Sequence, residues 1–258
     1  MIAPRINLNG KGVIITGASK GLGAVCARAL AKEGASLVLI SRSPEKLEEV
    51  RKSCENPDKH ISISVDLYQR DQLEFAILKA QEFLGNVDVV LHVIGGGLGL
   101  HDPFISSEGL DKLLILNLKI PVEINKLVLP KMIECKKGNL VHIGSIASYE
   151  AVASLGYNTA KAALAAYVRS LGKEVAKNGI MVTGILPGGF YAPGNSWERL
   201  KKNKPEIVEQ FSQKLPRGFL GKAEELIPMI LLLCSEDASM MGGCMVPMDA
   251  GQGNSYLM

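Results

Sequence analysis

Tyr157 and Lys161 stand four positions apart in the run Tyr157-Asn158-Thr159-Ala160-Lys161, which continues into Ala162-Ala163-Leu164-Ala165-Ala166. Most of these residues are strong helix formers. On a helix, residues i and i+4 share a face, so the phenol and the ammonium point the same way. A free phenol ionises near pH ~10 and is a poor base at neutral pH. An ammonium held about 4–6 Å away favours the phenolate. At ~4 Å and an effective dielectric of about 20 the attraction is about 4 kcal/mol, enough to bring the phenol close to working pH. Alone, the pair reads more simply as two surface side chains one helical turn apart. Its company changes that reading, beginning with Ser145, a short loop upstream.

A second chemistry-bearing stretch is Thr16-Gly17-Ala18-Ser19-Lys20-Gly21-Leu22-Gly23. It follows the β-branched run Val13-Ile14-Ile15 and opens an alanine-rich helical stretch reaching Glu33. Strand, glycine-rich turn and helix are the context in which such glycines mean phosphate binding. Gly17 allows the tight turn, Gly21 lets backbone approach a pyrophosphate, and Gly23 lets the helix pack on the strand. The helix N-terminus presents free N–H groups and a positive dipole end to the anion. The spacing is G-x-x-x-G-x-G rather than G-x-G-x-x-G, and a purely structural turn is the plain alternative.

The elements that must position these residues follow in a strand–helix rhythm. Ser36 to Ile40 is a second strand, and its tip reads Ser41-Arg42-Ser43, with no carboxylate. An acid there prefers NAD, whereas a cation accommodates the 2′-phosphate of NADP. Arg42 can grip a phosphate with its planar fork, and Lys20 is a second candidate; otherwise both are solvated cations. Pro44 to Cys54 reads as a helix, and Ile61 to Val65 as a strand ending at Asp66-Leu67. Asp66 either accepts from an adenine amino group or caps a helix. Leu73 to Leu84 is helical, and Val87 to Ile94 is a fourth strand ending in Gly95-Gly96-Gly97, which leaves room for a ligand beside the backbone. A long helical region from about Leu110 to Glu134 holds Asn117 and a mid-helix Pro121 that should kink it or interrupt a hydrogen bond. Gly138 to Ser145 is the fifth strand, the tyrosine helix runs to about Lys177, and Ile180 to Leu186 is the sixth strand, ending at Pro187-Gly188-Gly189.

The segment from about Phe190 to Gly218 breaks this rhythm and holds the only tryptophan, Trp197. An insertion of that length is usually functional, and it reads as a lid over the substrate. Its aromatics Phe190, Tyr191, Trp197 and Phe211 either line the pocket or pack the lid, and its Lys201-Lys202-Asn203-Lys204 cluster reads as a solvated helix face. Lys222 to Cys234 is the last helix and Gly243 to Met248 the last strand. The pattern predicts a single α/β domain over residues 1–258. It is a Rossmann-type doubly wound parallel sheet of about seven strands, with helices on both faces and the lid insertion.

Composition sets the outer bounds. The chain has 258 residues, 47% hydrophobic and 21% charged, an ordinary soluble globular balance. A formal charge of +3 is too mild to imply nucleic acid or an anionic membrane. Cys26, Cys54, Cys135, Cys234 and Cys244 are scattered without a C-x-x-C pair, which fits reduced thiols in the cytoplasm. Met1 to Arg5 lacks the apolar run of a signal peptide, and no apolar run approaches the about 18 residues of a membrane helix. His60, His92, His101 and His142 have no metal-site spacing, so no metal is expected. Ser145 lacks the G-x-S-x-G elbow of a hydrolase nucleophile.

From Val13 to Gly251 the chain resembles the short-chain dehydrogenase/reductase family, its carrier-protein 3-oxoacyl reductases included. The residues that carry the likeness are Thr16-Gly17 through Gly21-Leu22-Gly23, Asp66, Asn117, Ser145, Tyr157, Lys161 and Pro187-Gly188. The resemblance implies that Ser145 hydrogen-bonds the substrate oxygen, Tyr157 exchanges its proton, and Lys161 lowers the tyrosine pKa and holds the nicotinamide ribose. It implies that Asn117 positions a water linking Lys161 to solvent. Gly17, Ser19, Lys20, Gly21, Leu22, Gly23, Ser41, Arg42, Asp66, Leu67, Gly95, Pro187, Gly188 and Phe190 join Tyr157 and Lys161 as cofactor-site candidates. Lys20 with Arg42 resembles the family's NADP(H)-preferring pattern. Two departures stand out. The family's usual Asn-Asn-Ala-Gly is His92-Val93-Ile94-Gly95 here, so its bracing asparagines are absent. His92 either replaces one of them as a donor or is a hydrogen-bonded structural histidine. Ala192 stands where the family often has a threonine, and its contact is lost or supplied by Tyr191.

The expectation is an NADP(H)-dependent oxidoreductase that moves a hydride between the nicotinamide and a carbonyl or secondary alcohol, with Tyr157 as general acid/base. A reducing NADPH pool favours reduction. The alternative is a catalytically silent NADP-binding sensor or scaffold. Substrate options are a 3-oxoacyl chain on a carrier protein, met by Lys131, Lys136, Lys137 and Lys173; a sugar or nucleotide-sugar; or a bulky ketone. The scarcity of lid aliphatics between Gly194 and Lys204 leans toward a small polar ketone or sugar. The partners are thus a small-molecule carbonyl or alcohol, with no nucleic acid and no membrane. The resemblance implies a homo-oligomer, a dimer or tetramer, joined through the helices around Asn117 and Tyr157.

Overall fold

The computed structural model describes residues 6–255, so the leader reading of Met1 to Arg5 lies outside the described residues. Short apolar runs make the strands: β1 (Gly12–Thr16), β2 (Ser36–Ser41), β3 (His60–Ser64), β4 (Val89–His92), β5 (Gly138–Ile143) and β6 (Ile180–Pro187). A two-residue β7 (Phe190–Tyr191) pairs with β8 (Gly221–Lys222), and β9 (Met245–Met248) completes the main sheet. That sheet has seven strands in the order β3-β2-β1-β4-β5-β6-β9, and every neighbouring pair is parallel.

The helices are α1 (Gly21–Lys32), α2 (Pro44–Ser53), α3 (Arg70–Leu84), α4 (Ser107–Leu114), α5 (Ile120–Cys135), α6 (Leu155–Val175), α7 (Ser196–Asn203), α8 (Pro205–Gln213) and α9 (Ile227–Leu233). Successive strand residues point to opposite faces. Ile15, Leu37, Leu39 and Leu91 therefore pack with Leu30 of α1, Leu47 of α2 and Ile230 of α9. Ile14, Val38, Ile40 and Val90 pack with Ile77 of α3, Ile124 of α5 and Leu164 of α6. Both faces are covered, as a parallel sheet requires. Strand order reverses between β1 and β4, which opens a crevice at their carboxyl ends.

Four local outcomes differ from the pattern reading. The expected long helix is α4, a π-helical turn at Ile115–Lys119, and then α5. The backbone stays helical through Leu114, Lys119 and Ile120, so Pro121 follows the π-helical turn inside a continuous helix and interrupts its bonding pattern rather than ending it. The fourth strand is shorter than expected, at Val89–His92, which frees Val93 to Gly97 to turn. The fifth strand ends at Ile143, leaving Ser145 just past it. The last helix starts at Ile227, behind a 3-10 turn at Ala223–Leu226. No helix among the described residues is long and apolar enough to cross a membrane.

At the sheet edge opposite the crevice, buried Asp88 accepts the Gly12 N–H at 2.9 Å. Lys11 and Lys137 approach its carboxylate at 4.0 and 3.4 Å and reach Glu236 at 2.7 and 3.5 Å. Asp88→Ala strands the Gly12 N–H, and the expected cost is about 1–3 kcal/mol. Urea unfolding should show a lower midpoint at unchanged slope.

Candidate active site

α6 places Tyr157 in its first turn and Lys161 one turn later. The Lys161 Nζ lies 5.7 Å from the Tyr157 ring centroid and donates to the Ile143 carbonyl at 2.8 Å. Lys161 is only 3% exposed. Ser145, in extended backbone, caps a short 3-10 turn at Ile146–Ser148, its Oγ accepting from the Ala147 N–H at 3.1 Å. The Ser145 hydroxyl lies near enough to the Tyr157 phenol to pull its pKa down slightly. Serine, tyrosine and lysine are thus brought together, as the sequence placed them.

The electrostatics depart from expectation. Burial pushes the Tyr157 phenol up to about 12, against a smaller opposing pull from the Ser145 hydrogen bond. Burial pushes Lys161 down to about 8. The ammonium therefore does not bring the phenol toward neutrality in this form of the protein. The attraction expected at close range is outweighed because both groups have left water. The phenol holds its proton at neutral pH.

Asn117 sits in the π-helical turn, buried, and its carboxamide grips Gly96 from both sides. Its Oδ1 accepts the Gly96 N–H at 3.0 Å, and its Nδ2 donates to the Gly96 carbonyl at 3.0 Å and to the Leu113 carbonyl at 2.9 Å. These bonds brace the turn after β4. His92 does not take that part: its Nε2 meets Asn125 Oδ1 at 2.8 Å, and its ring stacks on His142 with centroids 4.5 Å apart. Burial pushes His92 down to about 4, so it is a neutral structural histidine. A Cβ on Gly95 would lie 2.9 Å from Asn117 Oδ1 and 3.2 Å from Lys161 Nζ, so a side chain there would crowd both groups. A Cβ on Gly97 would touch the Tyr157 ring at 3.8 Å.

The glycine loop joins β1 to α1. Gly17 has φ +70°, and a Cβ on Gly23 would come within 2.3 Å of the Gly17 carbonyl oxygen. No side chain caps the first turn of α1, where Lys20 is the N-cap residue. Uncapped N–H groups beside a glycine cradle fit the phosphates of a dinucleotide. The Gly21 N–H is itself taken by the Pro193 carbonyl at 2.8 Å, so the segment after β6 crosses the loop. Ser19 and Ser41 are half-buried, Leu22 and Leu67 are buried, and Arg42 is exposed at the tip of β2. Asp66 does not cap α3, whose N-cap is Gln69; its Oδ1 accepts the Tyr68 N–H at 3.2 Å.

Pro187 ends β6, and the Gly188 N–H donates to Met248. Gln252, absent from the sequence reading, accepts the Gly189 N–H at 2.7 Å; a lone glutamine near the carboxyl end carried no motif to mark it. The Phe190 carbonyl accepts from Asn195 at 2.9 Å. Ala192 is fully buried, and the Tyr191 hydroxyl donates to Glu198 at 3.2 Å, so Tyr191 is engaged away from the missing threonine contact. Trp197 and Phe211 pack on each other with centroids 4.4 Å apart, and Phe211 abuts Gly189. These two aromatics pack the segment itself, and Lys201 and Lys202 lie exposed on α7.

A family model described as short chain dehydrogenase matches residues 11–203. The chain belongs to the short-chain dehydrogenase family, whose members are oxidoreductases using a nicotinamide cofactor. The 3-oxoacyl-[acyl-carrier-protein] reductase FabG of Thermotoga maritima is 27% identical over 249 residues, 95% of this chain and 99% of that protein. The crystal structure of levodione reductase matches with a TM-score of 0.88 at 28% identity, over 96% of this chain and 99% of that one. L-sorbose reductase from Gluconobacter frateurii, complexed with NADPH and L-sorbose, matches with a TM-score of 0.88 at 25% identity, over 97% and 99%.

The buried ammonium has a pH signature. Its folded pKa of about 8 lies below the ordinary 10.5, so between those values the unfolded chain binds a proton that the folded chain does not. Stability therefore rises with pH across that window, and below it the folded protein carries a penalty of about 3 kcal/mol. Lys161→Met should be more stable than wild type at about pH 7, with the gap narrowing toward about pH 10. Urea unfolding at both values checks this, and a constant gap would contradict the burial argument.

Proposed function

We propose that the protein is an NADP(H)-dependent oxidoreductase interconverting a carbonyl and a secondary alcohol, with Tyr157 exchanging the proton. Residues 1–258 form one catalytic domain in this reading, and 190–218 form its lid. The observation that carries it is the convergence of Ser145, Tyr157, Lys161 and Asn117 at one sheet edge, beside an uncapped glycine loop. When bound, the nicotinamide supplies or accepts the hydride. A phenol that keeps its proton at neutral pH donates it to the substrate oxygen as negative charge develops there, which favours reduction. The Ser145 hydroxyl donates to the same oxygen and fixes its position. Lys161, with a single protein carbonyl as hydrogen-bond partner, has donors left for the ribose hydroxyls. Asn117 acts as a brace for the turn against the nicotinamide; only one lone pair of its Oδ1 is left to take a water.

Arg42 and Lys20 support NADP over NAD, since no carboxylate stands at the tip of β2 to meet the 2′-hydroxyl. For the substrate, Leu98 and Phe104 are exposed on the segment between β4 and α4, and Tyr149, Val152 and Leu155 are exposed just ahead of Tyr157. They favour a ketone with an apolar arm over a free sugar. Carrier-protein docking draws less support, because Lys131 pairs with Glu134 at 2.9 Å and Lys137 with Asp88 at 3.4 Å.

Tyr157→Phe should lower kcat at least about 100-fold on whichever ketone of a panel oxidises NADPH, with NADPH affinity unchanged. Retained turnover would remove the proposed proton donor. Arg42→Ala should lower NADPH affinity about 10-fold while leaving NADH within about twofold, as isothermal titration would record.

A further inference from the structure

The lid does more than cover the crevice. Pro193 to Asn195 lie across the glycine loop, with the Pro193 carbonyl accepting the Gly21 N–H at 2.8 Å. Gly194, at φ +83°, lies against the Lys20 side chain: a Cβ there would be 3.1 Å from both Lys20 Cβ and Cδ. One turn into the segment, Arg199 of α7 donates to the Gly194 carbonyl at 2.9 Å, which anchors its guanidinium over the same spot. Glu198, the neighbouring acid, is committed elsewhere, to the Gly194 N–H at 2.7 Å and to Tyr191.

Four cations therefore converge from four places in the chain: Lys20 from the glycine loop, Arg42 from the tip of β2, Lys46 from α2 and Arg199 from the lid. Lys20 is pushed down by burial first, then by Arg199, Lys46 and Arg42 in that order. None of the four forms an ion pair with a carboxylate among the described residues. All four are exposed and share one sign of charge, so together they offer an anion several donors with no carboxylate competing for them. Arg199 also retains guanidinium donors beyond the one spent on Gly194.

We propose that Arg199 is a cofactor-specificity residue carried by the lid, which binds the 2′-phosphate of NADP(H) together with Lys20 and Arg42, so that lid closure and recognition of the phosphorylated ribose are one event. This rests on the NADP reading above. It adds that the far end of the cofactor, remote from the reacting carbon, draws the lid over the active site. Binding energy from a non-reacting phosphate is thereby used to order the substrate pocket.

Trp197, the only tryptophan, lies two positions from Arg199 and stacks on Phe211, so its fluorescence reports on the lid. The probes are NADPH, NADH, 2′,5′-ADP and 5′-ADP, titrated into wild type, Arg199→Gln and Arg199→Ala, with Arg42→Ala alongside. Glutamine keeps a donor for the Gly194 carbonyl but carries no charge. The expected result is an about 10-fold loss of NADPH and 2′,5′-ADP affinity in both Arg199 variants, with NADH and 5′-ADP within about twofold. The Trp197 signal evoked by 2′,5′-ADP should disappear in the same variants. Equal losses for 2′,5′-ADP and 5′-ADP would assign Arg199 to the pyrophosphate and overturn the proposal. Full retention of NADPH preference in Arg199→Gln, with its loss in Arg42→Ala, would overturn this inference alone. A wild type that binds NADH as tightly as NADPH would overturn both this inference and the NADP reading.

Discussion

An ammonium taken out of water needs partners, and Lys161 has one protein hydrogen bond, to the Ile143 carbonyl. That bond ties α6 to the end of β5 and fixes where the Tyr157 phenol can be. The same ammonium dictates what stands opposite it. A side chain on Gly95 would crowd Asn117 Oδ1 and Lys161 Nζ together. The turn after β4, the π-helical turn and α6 are thus mutually constrained around one poorly solvated charge. Burying that charge is a desolvation cost that the surrounding fold must offset. Here the support is two apolar layers packed on a seven-stranded sheet.

Burial acts on the phenol and the ammonium in opposite senses, and both senses favour the neutral form. A Coulomb estimate made from sequence spacing considers only the pair. It omits the cost of stripping water from each member, and that omission reverses the sign for Tyr157. A protonated phenol beside a Ser145 hydroxyl is arranged to give up a proton, whereas a phenolate would be arranged to take one. Desolvation rather than charge pairing therefore sets the protonation state of Tyr157.

Much of the sheet was legible because its signal is local. Val13 to Ile15 and Ser36 to Ile40 are apolar and β-branched, and their alternation assigns each residue to a face. Ser145, Tyr157 and Lys161 were legible through helix spacing and through resemblance. The π-helical turn was half legible: Pro121 marked a disturbed helix, but Ile115 to Lys119 have the propensities of ordinary helix and do not say what form the disturbance takes. The role of His92 was half legible: a histidine in a strand can face either way, and only packing against His142 and Asn125 decides it. Arg199 was invisible to pattern reading, because its approach to Lys20 through Gly194 depends on how the segment after β6 returns across the glycine loop.

The turn after β4 is held by one buried side chain. Three glycines at Gly95-Gly96-Gly97 would be loose without side-chain ties, since each loses more freedom on folding than any other residue. One buried carboxamide compensates by holding both polar groups of Gly96. That carboxamide can reach them because the π-helical turn lets Asn117 project toward the sheet edge while its Nδ2 still meets the Leu113 carbonyl. The helix irregularity and the glycine run are therefore two halves of one solution. Each would be costly without the other: the turn would lose its order, and the Asn117 amide would be buried with donors unmet.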